Sequence, residues 1–243
     1  MEAKHVTFWL LLVAGAIVLL GALVQGTVGF GMNLVAAPLL AIIDPVLVPV
    51  PLLLVASVFA VLAMLRERGE LDWHGVSWGV VGRVPGTALG VAALALLPPR
   101  GLGILIGVAV LVSVGLSLLS WSPRPTRPAL VTAGVASGTF GTAAALGGPP
   151  IALIYQHVHG TKVRPTLGAY FAIGSLLSIV GLSLGGQLGP ESLLAALVLF
   201  PFALVGFALS GPLRGVLDAG RTRPALLMVA TVGAVVLLLQ AAM

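Results

Sequence analysis

The chain has 243 residues, of which 59% are hydrophobic and 8% charged, with mean hydropathy +1.17 and net charge +5. Soluble domains carry about 25% charged residues, so this chain cannot cover a water-exposed surface, and membrane lipid is its expected surrounding. The absence of cysteine excludes disulfides, thiolate metal sites and thiol catalysis; few carboxylates with basic loops account for the positive balance, and nucleic acid is excluded as a partner.

Apolar stretches of about 20 residues predict membrane-spanning helices. The first segment, 8–43, is too long for one span and short for two, and glycines and a proline interrupt it. It continues past its first apolar run without a cleavage site and is read as retained. Residues 46–65, 75–97 and 101–120 then read as three full spans, continuous because lipid offers the backbone no hydrogen-bond partner. A proline- and arginine-rich stretch at 123–128 follows, composed as a linker should be. Residues 129–155 form a second interrupted segment, and 165–185, 192–212 and 224–242 are three more spans.

The two interrupted segments repeat each other. Gly26-Thr27-Val28-Gly29 and Pro38 in the first correspond to Gly138-Thr139-Phe140-Gly141 and Pro150 in the second, and Leu34 matches Leu146. The domain reading is a first membrane repeat at 1–122, a cytoplasmic linker at 123–128 and a second membrane repeat at 129–243. If each interrupted segment dips into the membrane and returns, Arg66, Arg68, Arg124, Arg127, Lys162, Arg164, Arg214, Arg221 and Arg223 share one face, and only Lys4 and Arg100 lie on the other. That bias marks the first face as cytoplasmic. Three spans per half is odd, so the halves insert oppositely. The predicted fold is an all-α integral membrane protein of two inverted repeats, each a broken re-entrant helix hairpin plus three transmembrane helices, with substrate bound where the repeats meet.

Arg83 lies inside the span 75–97, beside Pro85 and between Gly82 and Gly86. An arginine in hydrocarbon costs about 2.5–3.5 kcal/mol on insertion scales and normally faces a cavity or partner. Its planar fork suits a sulfonate, sulfate or carboxylate; the competing reading is an arginine that snorkels to the headgroups. The glycine turns allow close backbone approach, and a helix starting after such a turn aims its amides at an anion. The predicted substrate-binding set is therefore Arg83 with Thr27, Gly29, Phe30, Gly31, Asn33, Thr139, Gly141, Thr142 and Gly148. The competing explanation for the small residues is close helix packing. Gln156, His157 and His159 follow the second segment; His157 is a weak candidate for proton coupling. All seven carboxylates fall at predicted ends or loops, so no membrane-buried proton relay is expected. No catalytic triad, phosphate-binding loop or metal cluster is legible, and no enzyme activity, cofactor or metal is expected.

Gly26-Thr27-Val28-Gly29-Phe30-Gly31 followed by Pro38, together with Leu146-Gly147-Gly148-Pro149-Pro150-Ile151-Ala152-Leu153-Ile154-Tyr155, resembles the TauE/SafE sulfite-exporter family, also described as toluene-sulfonate uptake permeases. The resemblance covers nearly the whole chain, with Met32 and Asn33 standing where further glycines are common. It implies movement of sulfite, sulfonate, sulfoacetate or thiosulfate across the cytoplasmic membrane. A cell-negative potential drives anions outward, which favours export. An anion channel and a non-transporting scaffold subunit are the alternatives, and the sequence leaves a homo-oligomer open.

Overall fold

A computed structural model of the chain describes residues 8–28, 31–66, 69–118, 123–156, 162–213 and 219–242. Among them the chain is helical, with no strand. The elements are α1 (Phe8–Val28), α2 (Met32–Ile43), a 3₁₀ turn at Pro45–Leu47, α3 (Val50–Arg66), α4 (Trp73–Leu96), α5 (Pro99–Leu118), α6 (Arg127–Ala144), α7 (Gly148–Tyr155), α8 (Val163–Leu184), α9 (Pro190–Leu213) and α10 (Ala219–Ala242). Seven of these helices are long and apolar enough to cross a membrane: α1, α3, α4, α5, α8, α9 and α10. The six predicted spans are all present. The seventh is α1: its 21 residues reach roughly 31 Å, enough to cross a bilayer core by length.

Both interrupted segments are broken helices. Gly31, with φ 118°, precedes α2, a backbone setting that favours glycine. In the second segment the break falls later than the sequence suggests. Gly141 lies inside α6, and the helix ends at Ala144; Ala145 adopts the left-handed conformation at φ 58°. The amides of Ala145 and Leu146 both donate to the carbonyl of Phe140, satisfying a last-turn acceptor. Ala145 and Leu146 are 4% and 2% exposed, so the interrupted backbone is enclosed by protein, as a break at membrane depth requires. Pro149 and Pro150 occupy the first turn of α7, where missing amides cost little, whereas Pro38 sits inside α2.

The second segment returns to the end from which it starts. The guanidinium of Arg127, at the start of α6, lies 5.2 Å from the ring of Trp78 near the start of α4. Tyr155, at the end of α7, donates its hydroxyl to Asp72 Oδ2 at 2.9 Å, beside the same end of α4. Lys162, just before α8, pairs with Glu70 there at 2.5 Å.

Glycines set the closest helix crossings. On α4, Gly82 faces the carbonyl of Val131 and Gly86 that of Val135, with no room for a Cβ; on α6, Gly134 and Gly138 face the α4 backbone in the same way. Residue numbers rise together along this seam, so α4 and α6 run in the same direction. Helices α1 and α9 do likewise, with Gly15 against Phe202, Gly206 against the Leu19 carbonyl and Gly26 against Ser210. Small residues that let backbones approach are how helices associate in lipid, where the hydrophobic effect gives no drive. The pairings exchange between halves: α4 packs on α6 as α9 packs on α1, α4 on α8 as α9 on α3, and α5 on α7 as α10 on α2, while α3–α8 and α5–α10 join corresponding helices.

Candidate functional site

Arg83 is 3% exposed, in the middle of α4. It does not snorkel. Three elements enclose its guanidinium, and each presents a glycine. A Cβ on Gly174 of α8 would collide with Nε; one on Gly141 of α6 would stand 2.9 Å from Nη2; one on Gly147, in the α6–α7 break, would stand 3.1 Å from Nη1. The niche therefore exists because these positions lack side chains. Nη1 donates to Ser137 Oγ at 2.8 Å, and Ser137 Oγ donates onward to the Gly147 carbonyl at 2.5 Å. The guanidinium also sits 5.3 Å from the centroid of the Tyr170 ring, within cation–π range.

Several polar atoms here are buried with no protein partner: Arg83 Nε, Tyr170 OH and Thr87 Oγ1. The described residues also give Arg83 no carboxylate. A buried charge without a counter-charge is costly, as is each unsatisfied donor. One turn further along, Thr142 Oγ1 of α6 and Ser178 Oγ of α8, both fully buried, share a hydrogen bond of 2.8 Å.

The predicted residues divide as follows. Arg83, Gly141 and Thr142 converge on the niche. Asn33 meets the break of the second segment, donating Nδ2 to the Ala145 carbonyl at 2.7 Å. Gly31 precedes α2, and Gly148 opens α7 with Phe171 Cζ 3.9 Å from where its Cβ would stand. Thr139 is not brought to the site: its hydroxyl bonds the Val135 carbonyl of its own helix. Thr27 lies in the last turn of α1; Gly29, Phe30 and His157 lie outside the described residues. Among the described residues, the second turn touches Arg83 through Gly147; Gly29 and Phe30 of the first turn lie outside the described residues.

Ser137, Tyr170, Gly174 and Ser178 were not singled out from sequence. The signal that finds them is a four-residue spacing. Thr166, Tyr170, Gly174 and Ser178 recur every four residues along α8; Tyr170 meets Gly79 of α4, Gly174 meets Arg83, and Gly181, one turn on, meets Thr87. At the start of α4, Asp72 Oδ1 caps the Gly75 amide at 2.9 Å, and the Asp72 amide donates to Thr166 Oγ1 at 3.0 Å. A cavity of about 290 Å³ opens there, lined by Asp72, Trp73, Tyr155, Lys162 and Thr166 among others.

A family model described as sulfite exporter TauE/SafE matches residues 13–237. No curated protein and no solved structure matches the chain.

Proposed function

Because the chain belongs to the TauE/SafE sulfite exporter family, whose members are membrane transporters and not enzymes, we propose that it carries sulfur-containing oxyanions outward across the cytoplasmic membrane, with sulfite, sulfonate, sulfoacetate and thiosulfate as the candidate cargoes. The observation that carries this reading is Arg83: a guanidinium held inside the helical bundle, bonded to one hydroxyl, with a free Nε and no carboxylate among the described residues. An oxyanion supplies the missing negative charge and the missing acceptors, in the planar geometry a guanidinium fork matches. The burial of Arg83 supports a carrier over an open channel, since ions have no wide conduit to it in this state.

The two halves are read as inverted repeats, 1–122 and 129–243, on either side of the linker. The same-direction packing of α4 with α6 and of α1 with α9, and the exchange of helix pairings between halves, support that reading. Secondary transporters of this architecture bind substrate near the midplane at broken helices. An inside-negative potential of 100 mV favours exit of a monovalent anion by about 2.3 kcal/mol, so export needs no coupled ion.

The test is flux from proteoliposomes loaded with sulfite under an imposed potassium diffusion potential. Efflux should rise with inside-negative potential and vanish in Arg83→Ala. Flux indifferent to potential, or unchanged in that variant, defeats the proposal.

A further inference from the structure

The chain contains a second niche equivalent in position to that of Arg83, and its chemistry is different. Gly82 abuts the Val131 carbonyl, and Gly206 abuts the Leu19 carbonyl. Leu19 and Val131 are related by the same 112-position offset that relates Gly26 to Gly138. Gly206 is thus the counterpart of Gly82, and Phe207 stands where Arg83 stands. Arg83 lies 5.3 Å from the Tyr170 ring of α8; Phe207 lies 5.2 Å from the Phe59 ring of α3, the helix corresponding to α8. An ion–aromatic pair on one side is replaced by an aromatic–aromatic pair on the other.

The surrounding polar groups follow the same division. Along α4, α6 and α8, most buried polar groups bond across helices, as in Arg83–Ser137 and Thr142–Ser178, or have no partner, as with Tyr170 OH and Thr87 Oγ1, while Ser175 bonds the Ala172 carbonyl of its own helix. On α3 and α9 the buried polar side chains among the described residues are Ser57 and Ser210, and each bonds a carbonyl three residues back on its own helix, Leu54 at 2.7 Å and Phe207 at 2.6 Å. The first seam offers a guest a cation and unpartnered polar groups; the buried hydroxyls described on α3 and α9 are closed on their own helices. At the basic end of the first seam lies the cavity lined by Thr166 and Lys162, whose 290 Å³ far exceeds the roughly 10–15 Å³ needed to admit a water.

We infer that the anion follows a single off-axis track along α4, α6 and α8, past Thr166, Tyr170, Arg83 and the Thr142–Ser178 pair, and that the equivalent seam of α9, α1 and α3, with Phe207 in place of the cation, is a scaffold that carries no anion. The identity of the cargo rests on the proposed function; the path does not. The two halves therefore match in helix packing but not in function.

Two measurements test this. The chain has no native cysteine, so Ser178→Cys and Ser210→Cys each place one thiol, at conservative positions, on the two seams. In proteoliposomes, the anionic reagent sulfonatoethyl methanethiosulfonate should modify Ser178→Cys about 10-fold faster than Ser210→Cys, because a cationic cleft concentrates anions. Equal or reversed rates overturn the track. In parallel, Phe207→Leu and Ser210→Ala should keep potential-driven sulfite efflux within about two-fold of the parent, whereas Thr142→Val and Ser178→Val should lower it about 10-fold. A loss in Phe207→Leu matching that in Ser178→Val also overturns it. Faster labelling at Ser178→Cys in a protein that moves no sulfite upholds the track and rejects sulfite as cargo.

Discussion

Asn33 and Ala145 are joined by a hydrogen bond of 2.7 Å, from the Asn33 side-chain amide to the Ala145 carbonyl, across 112 positions of sequence. That separation equals the offset between the two repeated glycine motifs. On the proposed repeat these two positions are equivalent, and the bond joins the two broken segments directly. Removing it with Asn33→Ala leaves a buried carbonyl unsatisfied and should destabilise the folded protein by about 1–3 kcal/mol. Thermal unfolding in detergent measures this; an unchanged midpoint would show that the two segments are held together by apolar packing alone.

Arg83 should be graded by geometry as well as charge. Arg83→Lys keeps a cation but loses the planar fork that an oxyanion matches, and Arg83→Ala loses both. Charge-assisted hydrogen bonds contribute about 1.5–3 kcal/mol, so anion affinity should fall roughly 10–100-fold in Arg83→Ala, with Arg83→Lys between it and the parent. Isothermal titration with sulfite in detergent reads both. Equal affinities for all three would assign Arg83 to packing.

Gly174→Ala should act through Arg83 rather than by itself. The added methyl collides with Nε, so overpacking should cost about 1–3 kcal/mol and displace the guanidinium. With Arg83 truncated to alanine the methyl has space, and the stability cost of Gly174→Ala should largely disappear. A double-mutant cycle should show coupling of about 0.5–3 kcal/mol; additive effects would disprove the contact.

Tyr155→Phe should release the end of α7. The hydroxyl ties that helix to Asp72, and its loss should cost about 0.5–1.5 kcal/mol. Amide hydrogen exchange should rise locally at residues 151–156, with α4 unchanged. Exchange that rises across the whole molecule, or nowhere, would count against a local tie.

The Glu70–Lys162 pair should matter little to stability. Its hydrogen bond and charge hold the Glu70 carboxyl below its ordinary range and the Lys162 ammonium above its own. The Glu70 contribution is present above the ordinary carboxylate pKa and lost as pH falls through the lowered value; the Lys162 contribution is lost only as pH rises through the raised one. Both side chains are exposed, at 76% and 59%, so water and salt screen the pair. Glu70→Gln should leave the unfolding midpoint at neutral pH unchanged; a clear drop would reveal a role beyond this exposed contact.

The sequence by itself determined what local chemistry determines. Partition into lipid is a sum over each segment's own residues, so the six spans, the broken segments and the intramembrane arginine were legible without contacts. The correspondence of the glycine motifs at Gly26 and Gly138 was legible too. The position of the second break was not: glycine pointed to Gly141, but the chain turns one helical turn later at Ala145, whose left-handed backbone is held by burial and by the Phe140 carbonyl. The partners of Arg83 were also hidden. In water an apolar stripe tells which helix face turns inward; in lipid both faces are apolar, and the stripe is erased. Only the tertiary packing places Ser137, Gly147 and Gly174 around one guanidinium, and sets Phe207 opposite it as the counterpart that carries no charge.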